Sequence, residues 1–91
     1  MRIVRTEQFK ADFKKLPDQI NRRAEKAFRF FVENARHPSL RTKKMEGQFD
    51  HEGRNIWEAR VTKNYRFTFA IEGDTYILYR IGSHDIERRP G

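Results

Sequence analysis

Hydrophobic and polar residues alternate through Ile56–Ile71 and again through Thr75–His84, the pattern of half-buried strands. Trp57, Ala59 and Val61 share one face of a first strand, and Tyr65, Phe67, Phe69 and Ile71 share one face of a second. Ile77, Tyr79 and Ile81 do so in a third, and these are the expected core faces. The opposite parity carries Glu58, Arg60 and Thr62, then Arg66 and Thr68, then Arg80 and His84. With odd positions inward on adjacent strands, connecting loops of odd length follow. Thr62-Lys63-Asn64 suits a three-residue loop, with Asn64 at the left-handed position, and sets Arg60 opposite Arg66. A second such loop, Glu72-Gly73-Asp74, would set Arg66 opposite Arg80.

The amino-terminal half reads differently. Arg2-Ile-Val-Arg5 suits a short strand, and Thr6 is placed to cap a helix over residues 7–15, with Phe9, Phe13 and Leu16 as one apolar stripe. Pro17-Asp18 restarts the chain into a second helix over residues 18–35, with Ile20, Ala24, Ala27, Phe28, Phe31 and Ala35 inward. His37-Pro38 ends it. Residues 39–55 mix polar, basic and turn-forming types, with Leu40 and Met45 as anchors and a short strand near 41–45. The expected fold is α+β: an N-terminal strand and a two-helix hairpin packed on one face of a twisted antiparallel sheet, in a single domain over residues 1–91. The arginine-bearing face is left open.

Composition narrows the chemistry. Eight Phe, three Tyr and one Trp offset a modest hydrophobic share of 36%. No cysteine means no disulfide frame and no thiolate metal site, which fits a cytoplasmic protein. No apolar run suggests a signal peptide or a membrane span. The formal charge of +7 favours a polyanionic partner over a membrane surface. Like charges facing each other across a sheet are destabilising. A row of three guanidinium groups ending at His84 therefore implies an anion to hold, with RNA phosphate the first candidate.

His37-Pro-Ser-Leu-Arg41, Lys43-Lys-Met-Glu-Gly47, Trp57-Glu-Ala-Arg-Val-Thr62, Tyr65-Arg66 and Ile81-Gly-Ser-His-Asp85 together resemble the RelE/ParE superfamily of type II toxins, in order along nearly the whole chain. The resemblance implies a microbial RNase fold and a toxin held in check by a cognate small antitoxin. In the RelE, YoeB and YafQ branches it implies a metal-independent endoribonuclease that cuts mRNA in the ribosomal A site. In the ParE branch it implies inhibition of DNA gyrase. Tyr65-Arg66 matches the position of a catalytic arginine in the ribonuclease branches, and Gly82-Ser-His84 looks like the YafQ motif with its catalytic histidine. The tail Asp85-Ile-Glu-Arg-Arg-Pro departs from the ribonuclease branches, which place an aromatic residue there.

Metal-free RNA cleavage needs a group to take the 2′-hydroxyl proton, cations for the phosphorane and an acid for the leaving oxygen. His84 suits acid–base work, since imidazole titrates near neutrality; its bland alternative is a strand-end histidine bonded to backbone. Arg66 suits phosphorane stabilisation, with Arg60 and Arg80 assisting or holding flanking phosphates; the alternative for each is an ion pair on a polar sheet face. Glu58 is either a general base or the neutralising partner of those arginines. Lys43 and Lys44 are candidates for phosphate or ribosomal RNA contacts, or simply solvated. His51 is a candidate for RNA contact or a second acid–base group, or else an exposed loop histidine, and the histidine spacing argues against a metal or other cofactor. Expected partners are an antitoxin, the ribosome and mRNA. The competing readings are a gyrase inhibitor without nuclease chemistry and a non-toxic basic nucleic-acid-binding module.

Overall fold

A computed structural model describes all residues, Met1–Gly91. Strand β1 (Arg2–Arg5) leads into helices α1 (Glu7–Lys14) and α2 (Asp18–Glu33), then a 3-10 turn at Pro38–Leu40. Strands β2 (Lys43–Phe49), β3 (Asn55–Arg60), β4 (Tyr65–Glu72) and β5 (Thr75–Ser83) follow, and a 3-10 turn at His84–Arg88 opens the tail. The sheet order is β1-β5-β4-β3-β2. The last three strands form the expected antiparallel meander and β2 extends it, while β1 pairs in parallel with β5, so the sheet is mixed. No helix is long and apolar enough to cross a membrane.

Local chemistry explains the helix boundaries. The Thr6 hydroxyl accepts from the Phe9 N–H at 3.1 Å and donates to the Tyr79 carbonyl at 3.2 Å, so one side chain caps α1 and ties it to β5. Glu7 opens α1 and Lys14 closes it, each matching the helix dipole. Beyond α2, the Ala35 carbonyl accepts from the Thr42 hydroxyl, and His37 stacks flat on Phe30 at 4.1 Å. The helices bury one sheet face around Phe9, Phe31, Phe67 and Phe69. Phe31 meets Phe67 at 5.2 Å and Phe69 at 4.9 Å, both edge to face.

The β4–β5 register departs from expectation. Glu72 pairs with Thr75, so the turn holds only Gly73 and Asp74, with Gly73 at φ +60° supplying the backbone conformation a tight hairpin needs. This shorter turn sets Phe69 opposite Leu78 and Ile71 opposite Tyr76, so Tyr76 and Leu78 face the helices in place of Ile77 and Tyr79. A bulge past Phe69 absorbs one residue and returns odd positions to the helix side, with Phe67 facing Ile81. Arg66 consequently stands opposite Gly82, not Arg80, which pairs with Thr68.

The second sheet face is not fully open. Ile56, Ala70, Tyr79, Ile86 and Pro90 are all buried yet lie outside the helix-side core. The tail crosses this face: the Thr68 hydroxyl donates to the Pro90 carbonyl at 2.5 Å, and Arg80 donates to the Arg89 carbonyl at 3.2 Å. Gly82 permits the crossing, because a Cβ there would stand 2.9 Å from the Ile86 side chain.

Candidate functional site: a carboxylate among arginines

The polar half of that second face is built by register. Lys43 pairs with Glu58, Glu58 with Thr68, and Arg60 with Arg66, as the loop argument expected for the last pair. The Glu58 side chain is 1% exposed. Its Oε1 accepts from Arg66 Nη1 at 3.3 Å and lies 3.9 Å from Lys43 Nζ. Arg66 is further held by a 3.4 Å bond to the Lys63 carbonyl. Three buried polar atoms here have no protein partner: Glu58 Oε2, Arg60 Nε and Arg66 Nε.

His84 follows β5 directly, just past the Tyr65–Ser83 pair, and its Nδ1 is 3.7 Å from Glu87 Oε1. The tail brings Glu87 close to Glu58. Burial, followed by the neighbouring Glu87 carboxyl, pushes the Glu58 pKa from 4.5 to about 7, outweighing the pull of Arg66 and Lys43. Glu87 shifts downward, first through its pairing with Glu58, so the two carboxyls titrate together.

Arg60, Arg66, Glu58, Lys43 and His84 thus gather at one end of this face, whereas the other candidates lie elsewhere. Arg80 turns over the β5 edge beyond the reach of β1, giving its Nε to Asp12 Oδ2 at 2.6 Å. Asp12 also accepts from the Ile81 N–H at 3.2 Å, closing the free edge of β5. Lys44 pairs with Trp57, whose ring lies beneath Arg36 at 4.9 Å, on the helix-facing side. His51 is exposed on the β2–β3 turn, at the other end of β3 from Arg60, and approaches Glu52 at 3.7 Å. That turn is organised by Asp50, which accepts from the Tyr79 hydroxyl at 2.7 Å and from Arg54 Nε at 2.8 Å. Burial raises the Asp50 pKa, but bonds from Tyr79, Arg54 and the Glu52 backbone bring it down to about 2.

Sequence reasoning missed Asp12 and Glu87. Asp12 left a signal, since it falls at the i+3 position of the Phe9, Phe13, Leu16 stripe, where an apolar residue belongs. Glu87 left none beyond its place three residues after His84, because its role depends on the tail folding back. No three histidine, aspartate or glutamate side chains converge to hold a metal ion.

A helical pair packed on one face of a five-stranded sheet, in this element order, is the fold of RelE/ParE superfamily type II toxins. The chain belongs to the family described as ParE toxin of type II toxin-antitoxin system, parDE, whose model matches residues 3–87. No curated protein matches it in sequence. Solved structures share the fold at low identity. A YoeB/ParE toxin from Agrobacterium tumefaciens superposes with TM-score 0.72 at 15% identity, over 92% of this chain and 99% of that one. YafQ from E. coli gives 0.73 at 12%, over 93% and 96%. A RelB-RelE antitoxin-toxin complex from Methanococcus jannaschii gives 0.68 at 23%, over 90% and 91%.

Proposed function

We propose that this type II toxin is a metal-independent endoribonuclease that cuts mRNA in the ribosomal A site. The observation that carries the reading is Glu58: a fully buried carboxyl with a pKa near 7, 3.3 Å from a guanidinium, beside buried Nε atoms of Arg60 and Arg66 that lack partners. Near neutrality such a group is partly ionised, which suits a general base. Ionised Glu58 takes the 2′-hydroxyl proton as the 2′-oxygen attacks phosphorus. Arg66 holds the charge that builds on the non-bridging oxygens. The P–O5′ bond breaks, and His84 as imidazolium gives its proton to the departing 5′-oxygen. A 2′,3′-cyclic phosphate and a 5′-hydroxyl result. Glu87, 3.7 Å from His84 and paired in titration with Glu58, puts the two acid–base groups on one network.

Induced expression followed by primer extension on a translated message tests this. Discrete cuts that appear with the wild type and vanish with His84→Ala or Glu58→Gln, without loss of fold, are expected, and EDTA leaves them unchanged. An intact message in cells stopped by the toxin refutes it.

The match to a ParE model supports a second reading, inhibition of DNA gyrase without nuclease chemistry. It predicts DNA-damage signalling and stalled replication, with translation at first unaffected and His84→Ala still toxic. In either reading the natural partner is a cognate antitoxin, in keeping with the RelB-RelE and DinJ-YafQ toxin-antitoxin complexes among the structural neighbours.

A further inference from the structure

Four arginines are half-buried: Arg54, Arg60, Arg66 and Arg80. Three of them meet a carboxylate, Arg54 at Asp50, Arg66 at Glu58 and Arg80 at Asp12. Arg60 meets none, and its buried Nε has no hydrogen-bond partner. A guanidinium withdrawn from water without a counter-charge is costly. Arg60 also borders a cavity of about 230 Å³ between α2, the Pro38–Leu40 turn and the end of β3. Arg23, Lys26 and Ser39 line that cavity with it, over Phe30 and Leu40, and no carboxylate is among the lining residues. The one unmatched half-buried arginine therefore stands where α2 brings two more cations.

We propose that this cavity seats a backbone phosphate of single-stranded RNA, held by Arg60, Arg23 and Lys26 with the Ser39 hydroxyl as a further donor. Arg60 lies directly across the β3–β4 ladder from Arg66, so it links the cavity beside α2 to the reacting centre on the other sheet face. The seated phosphate flanks the one being cut, an assignment that rests on the ribonuclease reading, whereas the anion seat itself does not. Arg60 is then a substrate-positioning residue, and the RNA path runs from the sheet face around the end of β3 towards α2.

Binding is measured by fluorescence anisotropy with a fully 2′-O-methylated oligonucleotide, which cannot be cut. Arg23→Ala/Lys26→Ala should bind about tenfold more weakly at low salt, with a salt slope lower by about one. Arg23 and Lys26 are exposed, so the fold survives their loss. Arg60→Gln should weaken binding similarly, and adding it to the double variant should cost less than it costs alone. A single neutral methylphosphonate walked along the oligonucleotide should find one position that weakens the wild type and leaves the triple variant unaffected. Arg22→Ala/Arg29→Ala, exposed on the same helix but outside the cavity, is the control. An equal loss in that control, or the same methylphosphonate profile in wild type and triple variant, overturns the seat. An enzyme that cuts RNA while its variants bind normally refutes the seat alone. A protein that never cuts but loses binding in these variants refutes the ribonuclease reading and keeps the seat.

Discussion

Replacing Glu58 by glutamine separates the two readings of that residue through stability. The folded pKa of Glu58 is raised from 4.5 to about 7. Its contribution to stability is therefore fully present below about pH 4.5 and is lost as pH rises through 7. At about 1.4 kcal/mol per pKa unit, ionising it in place costs roughly 3 kcal/mol relative to the unfolded chain. Glu87 shifts the opposite way and offsets part of this. Glutamine keeps the shape and the neutral state of the protonated acid, but it cannot ionise. Urea unfolding of both proteins at pH 5 and pH 8 gives the relevant double difference. Glu58→Gln should gain about 2 kcal/mol on the wild type between those pH values, roughly 10 °C in Tm, while its cleavage activity disappears. Parallel pH profiles would refute the reasoning. They would mean that Glu58 is ionised throughout and merely neutralises Arg66 and Lys43.

Arg66→Lys keeps the charge but loses the planar fork, so single-turnover cleavage should fall about 100-fold with the circular dichroism unchanged; a retained rate excludes guanidinium-specific stabilisation. Asp12→Ala strands Arg80 and uncovers the Ile81 N–H, and should cost about 3 kcal/mol in denaturant unfolding; a loss under about 0.5 kcal/mol would show that the edge contact is dispensable. Tyr79→Phe removes a donor to Asp50, costing about 1 kcal/mol at neutral pH. The Asp50 pKa is depressed to about 2, so its contribution is lost as pH falls through that value. In Tyr79→Phe that loss should begin at higher pH, which acid titration of the unfolding midpoint detects.

Most of the architecture was legible in two periodicities. The stripes Phe9–Phe13–Leu16 and Ile20–Phe31 placed both helices, and strict alternation in β3 and β4 placed Arg60 opposite Arg66. Alternation failed in β5 because Gly73 allows a shorter turn and the bulge near Tyr79 then restores parity. The two shifts add, moving Phe67 from Tyr79 to Ile81 while restoring the inward parity of Ile81, so no pattern of hydrophobicity reports them. Arg80 was assigned to the cationic row for this reason and belongs instead to an ion pair with α1. The tail looked polar because only Ile86 and Pro90 turn inward, and two residues make no period. Its return over the sheet, and with it the meeting of Glu87 and Glu58, is a tertiary event that local sequence does not encode.

The second sheet face shows two solutions to one packing problem. Around the start of β3 it is sealed with apolar groups, Ile56, Tyr79 and Pro90, and the Thr68 hydroxyl there finds a carbonyl. Around the end of β3 it keeps Glu58, Arg60 and Arg66, although like charges across a ladder repel and buried ions cost more than apolar groups of their size. Glu58 matches Arg66 only in part, since its own charge is suppressed by burial and by Glu87. Arg60 is not matched at all. A cluster kept for stability would close its hydrogen bonds inside the chain, as Asp50 does with Tyr79 and Arg54. This one leaves two guanidinium nitrogens and a carboxylate oxygen without partners. In the proposed reading an entering RNA satisfies all three, with the reacting phosphate at Arg66, its flanking phosphate at Arg60 and the 2′-hydroxyl at Glu58.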